Sequence, residues 1–91
     1  LRLITEPILF SEFCKMIFNR IQPYVCKDRN ASLHMLRMIS KIANNIDDKA
    51  QQLILVEHAR ALKFAVNECL PIKADRELIH LQFAKYFPDY A

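Results

Sequence analysis

Apolar residues recur at intervals of three and four positions along four segments of this chain, which is the period of amphipathic helices. The first segment predicts a helix over about residues 11–22, with Pro7 or Ser11 near its start and Pro23 after its end. Its apolar stripe consists of Leu9, Phe10, Phe13, Met16, Ile17 and Ile21. This stripe predicts the side of the helix that packs against the rest of the chain.

The second segment has the clearest helical period and continues to about Ile46. Its apolar face consists of Leu33, Leu36, Ile39, Ile42, Ala43 and Ile46, and its polar face of His34, Arg37, Lys41 and Asn44. Asp28, Asn30 or Ser32 can cap this helix, since each side chain can accept a hydrogen bond from a free backbone N–H. We expect Leu36, Ile39 and Ile42 in the core.

Two further helices are predicted in the second half of the chain. Asparagines and aspartates crowd at residues 44–48, where Asn can end one helix in the left-handed conformation and Asp can cap the next. The third helix spans about residues 49–70 and ends before Pro71, and the fourth spans about residues 76–87 with Asp75 as its cap. Their periodic positions are Leu53, Ile54, Glu57, Ala61, Leu62, Ala65, Val66 and Cys69 in the third helix, and Leu78, Ile79, Phe83, Ala84 and Phe87 in the fourth.

These segments predict an all-α fold, a compact bundle of about four to five helices without a sheet. A chain of 91 residues has the length of one domain. We therefore expect a single helical domain over residues 1–91, and the apolar segment at Leu1 suggests that it belongs to a longer protein. No apolar run reaches the roughly 18 residues that a membrane span needs.

The composition removes several classes of function. The chain contains no glycine, and loops that cradle nucleotides or present a catalytic serine depend on glycine for their tight turns. The three cysteines and three histidines lack the close spacings of metal ligands. An odd number of cysteines also disfavours a secreted disulfide framework. We expect no catalytic, cofactor or metal site, and a cytoplasmic or nuclear location.

Positive charge is concentrated in the first half of the chain. Residues 1–45 contain seven basic and three acidic residues, whereas residues 46–91 contain six and seven. Binding of nucleic acid is one interpretation of this asymmetry, with Tyr24 as a stacking ring. It is the less favoured one, because no helix-turn-helix pattern or interleaved aromatic residues accompany the charge.

Two segments resemble the domain that activates the GTPase of Rho-family proteins (RhoGAP). Residues 1–10, LRLITEPILF, are similar to its L-R-x-L-x-E-P-L segment, and residues 29–44, RNASLHMLRMISKIAN, to its later N-R-x-x-L-x-x-L helix. The second segment is closer to the degenerate form found in DEP-domain signalling proteins, and the resemblance covers about residues 1–45. In the family, a catalytic arginine precedes the Glu-Pro segment, so no residue of this chain takes that role. Of the family's later Asn-Lys-Met motif only Lys49 is present.

The resemblance and the lack of catalytic groups together predict a noncatalytic protein-interaction module of a cytoplasmic signalling or scaffold protein. Its partner would be a protein, either a Rho-family GTPase or a second copy of the chain. The alternative is a helical dimerisation or assembly domain unrelated to RhoGAP. The predicted contact positions are the turn at Glu6 and Pro7, and His34, Arg37 and Lys41 on the polar face of the second helix.

Overall fold

Four α-helices and a short terminal 3-10 helix make up the computed structural model, which describes residues 7–91, with side chains from residue 12 onward. The helices are α1 (Pro7–Val25), α2 (Arg29–Asn44), α3 (Lys49–Cys69) and α4 (Lys73–Tyr86), and the 3-10 helix spans Pro88–Tyr90. The part of the chain that the structure describes contains no strand. The predicted all-α bundle is therefore confirmed. No helix in this part is both long enough and apolar enough to cross a membrane.

Aspartate caps fix the start of two helices. At α2, the Asp28 carboxylate accepts hydrogen bonds from the backbone N–H groups of Asn30 (2.8 Å) and Ala31 (3.4 Å). At α3, the Asp48 carboxylate accepts one from Gln51 at 3.1 Å. These bonds satisfy backbone donors that have no partner within the helix. Asp28 is thus the cap among the three candidates, and α2 begins four residues before the apolar stripe.

Ser32, the third candidate cap, has a different role. Its side chain is fully buried, and its hydroxyl donates a 2.8 Å hydrogen bond to the carbonyl oxygen of Val25 at the end of α1. The same carbonyl also accepts from the backbone N–H of Asp28 at 3.2 Å. The Ser32 bond therefore adds a second donor to it and joins the end of α1 to the first turn of α2.

The predicted last residue of the first helix and the predicted first residue of the fourth helix are wrong. The first helix continues through Pro23, because a proline in the last turn removes only one backbone bond, and the N–H of Cys26 still donates to Gln22 at 2.9 Å. The fourth helix begins at Lys73, with Ile72 at the N-cap and no side-chain cap. Asp75 therefore lies inside the first turn, where it pairs with Arg29 at 3.4 Å and its charge favours the helix dipole.

The end of α2 does not use the left-handed conformation expected for asparagine. No residue within 7–91 has a positive φ. Instead, the Asn45 amide donates to the carbonyl oxygen of Lys41 at 2.8 Å, and the Gln52 amide donates to the carbonyl oxygens of Ile46 (2.5 Å) and Ala43 (3.3 Å). Side-chain amides thus satisfy the carbonyls that a glycine-based cap would otherwise satisfy.

The hydrophobic core lies where α2, α3 and α4 meet, and α1 covers it mainly from the side of α3. Its most completely buried apolar side chains are Leu36, Ile39, Leu55, Ala59, Val66, Ile79 and Phe83. The predicted burial of Leu36 and Ile39 is therefore confirmed.

Other predicted core positions are wrong. Ile42 is 43% exposed and Leu53 is 42% exposed, and Phe13, Met16 and Ala61 are exposed as well. The reason is geometrical, since each apolar stripe is wider than the contact that its helix makes. On α3, the buried residues Leu55, Ala59, Leu62 and Val66 share one side of the helix, and Leu53 lies on the opposite side.

Candidate interaction groove

An open groove of about 240 Å³ separates the middle of α1 from the flank of α2. Its lining is entirely apolar. The lining residues are Phe13, Cys14, Ile17, Phe18 and Ile21 from α1, Met35, Met38, Ile39 and Ile42 from α2, and Leu55 from α3. We refer to this feature as the α1–α2 groove.

The groove exists because α1 packs on α3 more closely than on α2. Cys14 is the buried centre of α1, and the ring of Phe18 stacks on the side chain of His58 in α3, with 4.7 Å between the ring centroids. Phe13, Ile17 and Ile21 recur every four residues and therefore share the side of α1 that looks toward α2. That side is covered less closely than the side of α1 that faces α3.

The rims of the groove are exposed to solvent. Phe13 on α1 and Met38 on α2 are 44% and 45% exposed, which is close to the 43% of Ile42. Large apolar side chains that are half exposed and contiguous mark binding surfaces more often than isolated ones do. The groove thus presents a hydrophobic floor that a ligand can reach.

A second hollow of about 360 Å³ continues the groove toward the end of α2. It shares Met38 and Ile42 with the groove and adds Ile46, and its polar lining comes from Lys41 and Asn45. One apolar surface therefore runs from α1 across α2, with a basic side chain at its far edge.

Residues 7–44 contain six basic residues and two acidic ones, Glu12 and Asp28. Two of the basic side chains contact α4 rather than the groove, since Arg29 pairs with Asp75 and Arg37 donates to Tyr86. Glu12 pairs with Lys15 at 3.7 Å, and Asp28 caps α2. Arg20 lies seven residues after Phe13, on the same side of α1, and Lys41 stands at the α2 end. A ligand with negative charge at its edges would complement this surface.

Among the predicted contact residues, the structure describes the side chains of His34, Arg37 and Lys41, and these three do not converge on one site. Glu6 lies outside the described residues, and Pro7 is the first residue of α1, with its side chain outside the described set. His34, Arg37 and Lys41 are all exposed on α2. Arg37, however, points toward α4, where its Nε donates to the Tyr86 hydroxyl at 3.4 Å. Only Lys41 borders the apolar surface.

Sequence reasoning missed the groove itself. It assigned Phe13 and Ile42 to the core, and Met38 falls outside the predicted stripe of α2. The available signal was the width of the apolar stripes, since α1 and α2 carry more large apolar side chains than one packed face can cover.

A larger hollow of about 520 Å³ lies beside α4, and three of its charged side chains are engaged within the chain. Lys73 pairs with Glu77 at 3.8 Å, and Arg76 donates to the carbonyl oxygen of Leu70 at 2.7 Å. The Nε2 atom of His80 is buried and has no hydrogen-bond partner. This hollow is therefore more polar than the α1–α2 groove, and its charged side chains are already paired within the chain.

His58 and Cys14 are the other titratable groups near the groove. Burial lowers the pKa of His58, and the nearby Lys15 ammonium lowers it further, although Glu57 acts in the opposite direction. Burial raises the pKa of the Cys14 thiol. Among the described residues, no group of three or more His, Cys, Asp or Glu side chains lies close enough to hold a metal ion. The groove therefore offers shape and apolar contact rather than reactive groups.

Comparison with known proteins gives no relative. No family model matches the chain, and neither the curated proteins nor the solved structures yield a significant match.

Proposed function

We propose that this chain is a noncatalytic protein-interaction module that binds an amphipathic, acidic helix of a partner protein in the α1–α2 groove. The observation that carries this proposal is the wholly apolar, solvent-open lining of that groove between two basic helices. An amphipathic helix laid into an apolar groove is a recurrent mode of protein recognition.

The dimensions of the groove suit a helix of about two turns. Phe13 and Ile21 bound its α1 wall, and a rise of 1.5 Å per residue makes that wall about 12 Å long. Anchors at positions i, i+4 and i+7 of a bound helix would span about 10 Å. Acidic residues beside those anchors would face Arg20 and Lys41 and would speed association at low ionic strength.

The resemblance to RhoGAP and DEP-domain signalling proteins makes a Rho-family GTPase a specific candidate partner, and it agrees with a role in a signalling or scaffold protein. We propose no GTPase-activating chemistry, because an arginine that neutralises transition-state charge provides most of the rate in that reaction, and the motif gives no residue here that role.

A designed peptide tests the groove directly. The peptide is helical, with leucines at i, i+4 and i+7 and glutamates on the remaining positions, and a second peptide replaces the glutamates by lysines. Methyl NMR spectra of Met38 and Ile42 report binding. We expect shifts of these methyl groups, and at least a tenfold weaker affinity for the lysine peptide.

Two variants distinguish peptide binding in the groove from nonspecific hydrophobic binding. Ile42→Asp places a charge in the groove, and Leu53→Asp makes the same change at an equally exposed aliphatic residue of α3 that does not line it. We expect Ile42→Asp to weaken peptide binding at least tenfold and Leu53→Asp to leave it unchanged. Equal effects of the two variants would disprove the groove as the binding site.

Two further measurements identify the partner. Pull-downs with GTP-loaded and GDP-loaded Rho-family proteins test the GTPase, and equal, negligible retention of both forms excludes it. Sedimentation at several concentrations tests self-association. A dimer that Ile42→Asp dissociates would mean that a second copy occupies the groove and would replace the helix proposal by the assembly alternative.

A further inference from the structure

Two free cysteines meet at the ends of helices that are distant in sequence. Cys26 directly follows α1 and Cys69 is the last residue of α3, 43 positions later. The Sγ atom of Cys26 donates a hydrogen bond to the Sγ atom of Cys69 across 2.9 Å. A disulfide bond is about 2.05 Å long, so the two sulfur atoms need to approach by less than about 1 Å.

The two thiols differ in access to solvent. Cys26 is 3% exposed, whereas Cys69 is half-buried. Burial raises the pKa of Cys26 to about 11, with the hydrogen bond to Cys69 as the second cause. Cys26 therefore stays protonated at neutral pH, and an oxidant from solvent reaches Cys69 first.

The third cysteine provides an internal comparison. Cys14 is as buried as Cys26, and it precedes Cys26 by twelve residues along α1. That separation corresponds to about 18 Å of helix rise, which is too far for a disulfide between them.

We propose that Cys26 and Cys69 form a redox-active dithiol, which hydrogen peroxide converts into a disulfide that joins the end of α1 to the end of α3. In the first step, Cys69 gives up its thiol proton to solvent and its sulfur attacks one peroxide oxygen. The O–O bond breaks, and the departing hydroxide takes up a proton from solvent and leaves as water. Cys69 then carries a sulfenic acid.

In the second step, the Cys26 sulfur attacks the Cys69 sulfur and the S–O bond breaks. The departing hydroxide takes the Cys26 proton and leaves as water. Overall, the two thiols lose two protons and two electrons, and hydrogen peroxide takes up both and becomes two molecules of water. A disulfide of this kind in a reducing compartment is a transient, regulatory bond rather than a structural one.

The disulfide would constrain the fold strongly, because it closes a loop that contains all of α2 and α3. Restricting the unfolded chain over such a loop should raise the melting temperature by roughly 10 °C or more. Reduction should be slow when a thiol attacks the accessible Cys69 sulfur, since the leaving thiol is then Cys26 with its raised pKa. This inference does not depend on the proposed binding function.

Peroxide treatment of the full chain, followed by alkylation of free thiols, non-reducing peptide mass spectrometry and thermal melting, tests the proposal. We expect a Cys26–Cys69 cross-linked peptide, alkylated Cys14, and a higher melting temperature that a reductant reverses. Cys14→Ala should keep the cross-link, and Cys69→Ser should abolish it while the chain stays folded by circular dichroism. Cys26→Ala should abolish the cross-link as well.

Three results would overturn the proposal. The first is oxidation of Cys69 to sulfinic acid with Cys26 still alkylatable. The second is a disulfide between two copies of the chain in place of the internal one. The third is an internal cross-link that leaves the melting temperature unchanged, because the bond would then not constrain the folded chain as the loop predicts.

Discussion

Ile39 and Ile42 provide a sharp test of how α2 is oriented, because they are the same residue type, on the same helix, three positions apart. Ile39 is 1% exposed in the core, and Ile42 is 43% exposed at the α1–α2 groove. Replacing each by alanine removes the same three carbon atoms. Any difference between the two variants therefore reports burial rather than chemistry.

The structure gives a magnitude for each variant. For Ile39→Ala, three buried carbons at about 0.8 kcal/mol each amount to about 2.4 kcal/mol. The cavity that remains increases the loss to about 3–4 kcal/mol. For Ile42→Ala, little more than half of the transfer free energy of about 2.4 kcal/mol is lost, because the side chain is already partly exposed, and no cavity forms. The better helix propensity of alanine offsets roughly 0.4 kcal/mol of this loss. We expect a loss of about 1 kcal/mol.

Urea denaturation followed by circular dichroism measures both losses of stability. An unchanged slope of the free energy of unfolding against urea concentration shows that the unfolded states are comparable. In thermal melts, Ile39→Ala should lower the melting temperature by at least about 12 °C, and Ile42→Ala by about 4–8 °C. Equal losses, or a larger loss for Ile42→Ala, would show that α2 is rotated relative to the structure and that the groove is closed.

Substitutions at three further positions test individual contacts. Asp28→Ala should destabilise the fold by about 1 kcal/mol through loss of the α2 cap, and Asp28→Asn should recover most of this in the same urea titration. Ser32→Ala removes the hydroxyl bond to the Val25 carbonyl, which keeps only the 3.2 Å bond from the Asp28 N–H, and should cost about 1 kcal/mol, so an unchanged denaturation midpoint would contradict the role of this bond. The lowered pKa of His58 means that the unfolded chain binds its proton more readily, so stability should be unaffected above the ordinary pKa of 6.5 and should fall as the pH drops below it. His58→Gln should reduce this dependence in melting temperatures measured between pH 7.5 and 5, and an identical slope would refute it.

The starts of α2 and α3 were predictable from the sequence, because a cap is a local event. Asp28 and Asp48 precede their helices at the spacing that a capping bond requires, and both make that bond. Asp75 has the same local appearance, but it pairs with Arg29, a residue 46 positions away. No local pattern could distinguish these two outcomes.

The choice between buried and exposed apolar positions depended on packing between helices. Periodicity placed Ile39 and Ile42 on one face, but only the arrangement of α1, α3 and α4 decides which of them is covered. The groove arises in the same way, from a gap between α1 and α2 that no single helix encodes. The resemblance to RhoGAP stays a prediction, which the binding experiments can test.

The absence of positive φ angles in residues 7–91 has a practical consequence for mutagenesis. Nowhere in this range does the backbone require a residue without a β-carbon, so an alanine scan measures side-chain contributions free of steric conflict in the main chain. The chain's lack of glycine also makes its denatured ensemble stiffer than that of an average sequence of equal length. The helices therefore lose less conformational entropy when they form, and this smaller loss favours the folded state.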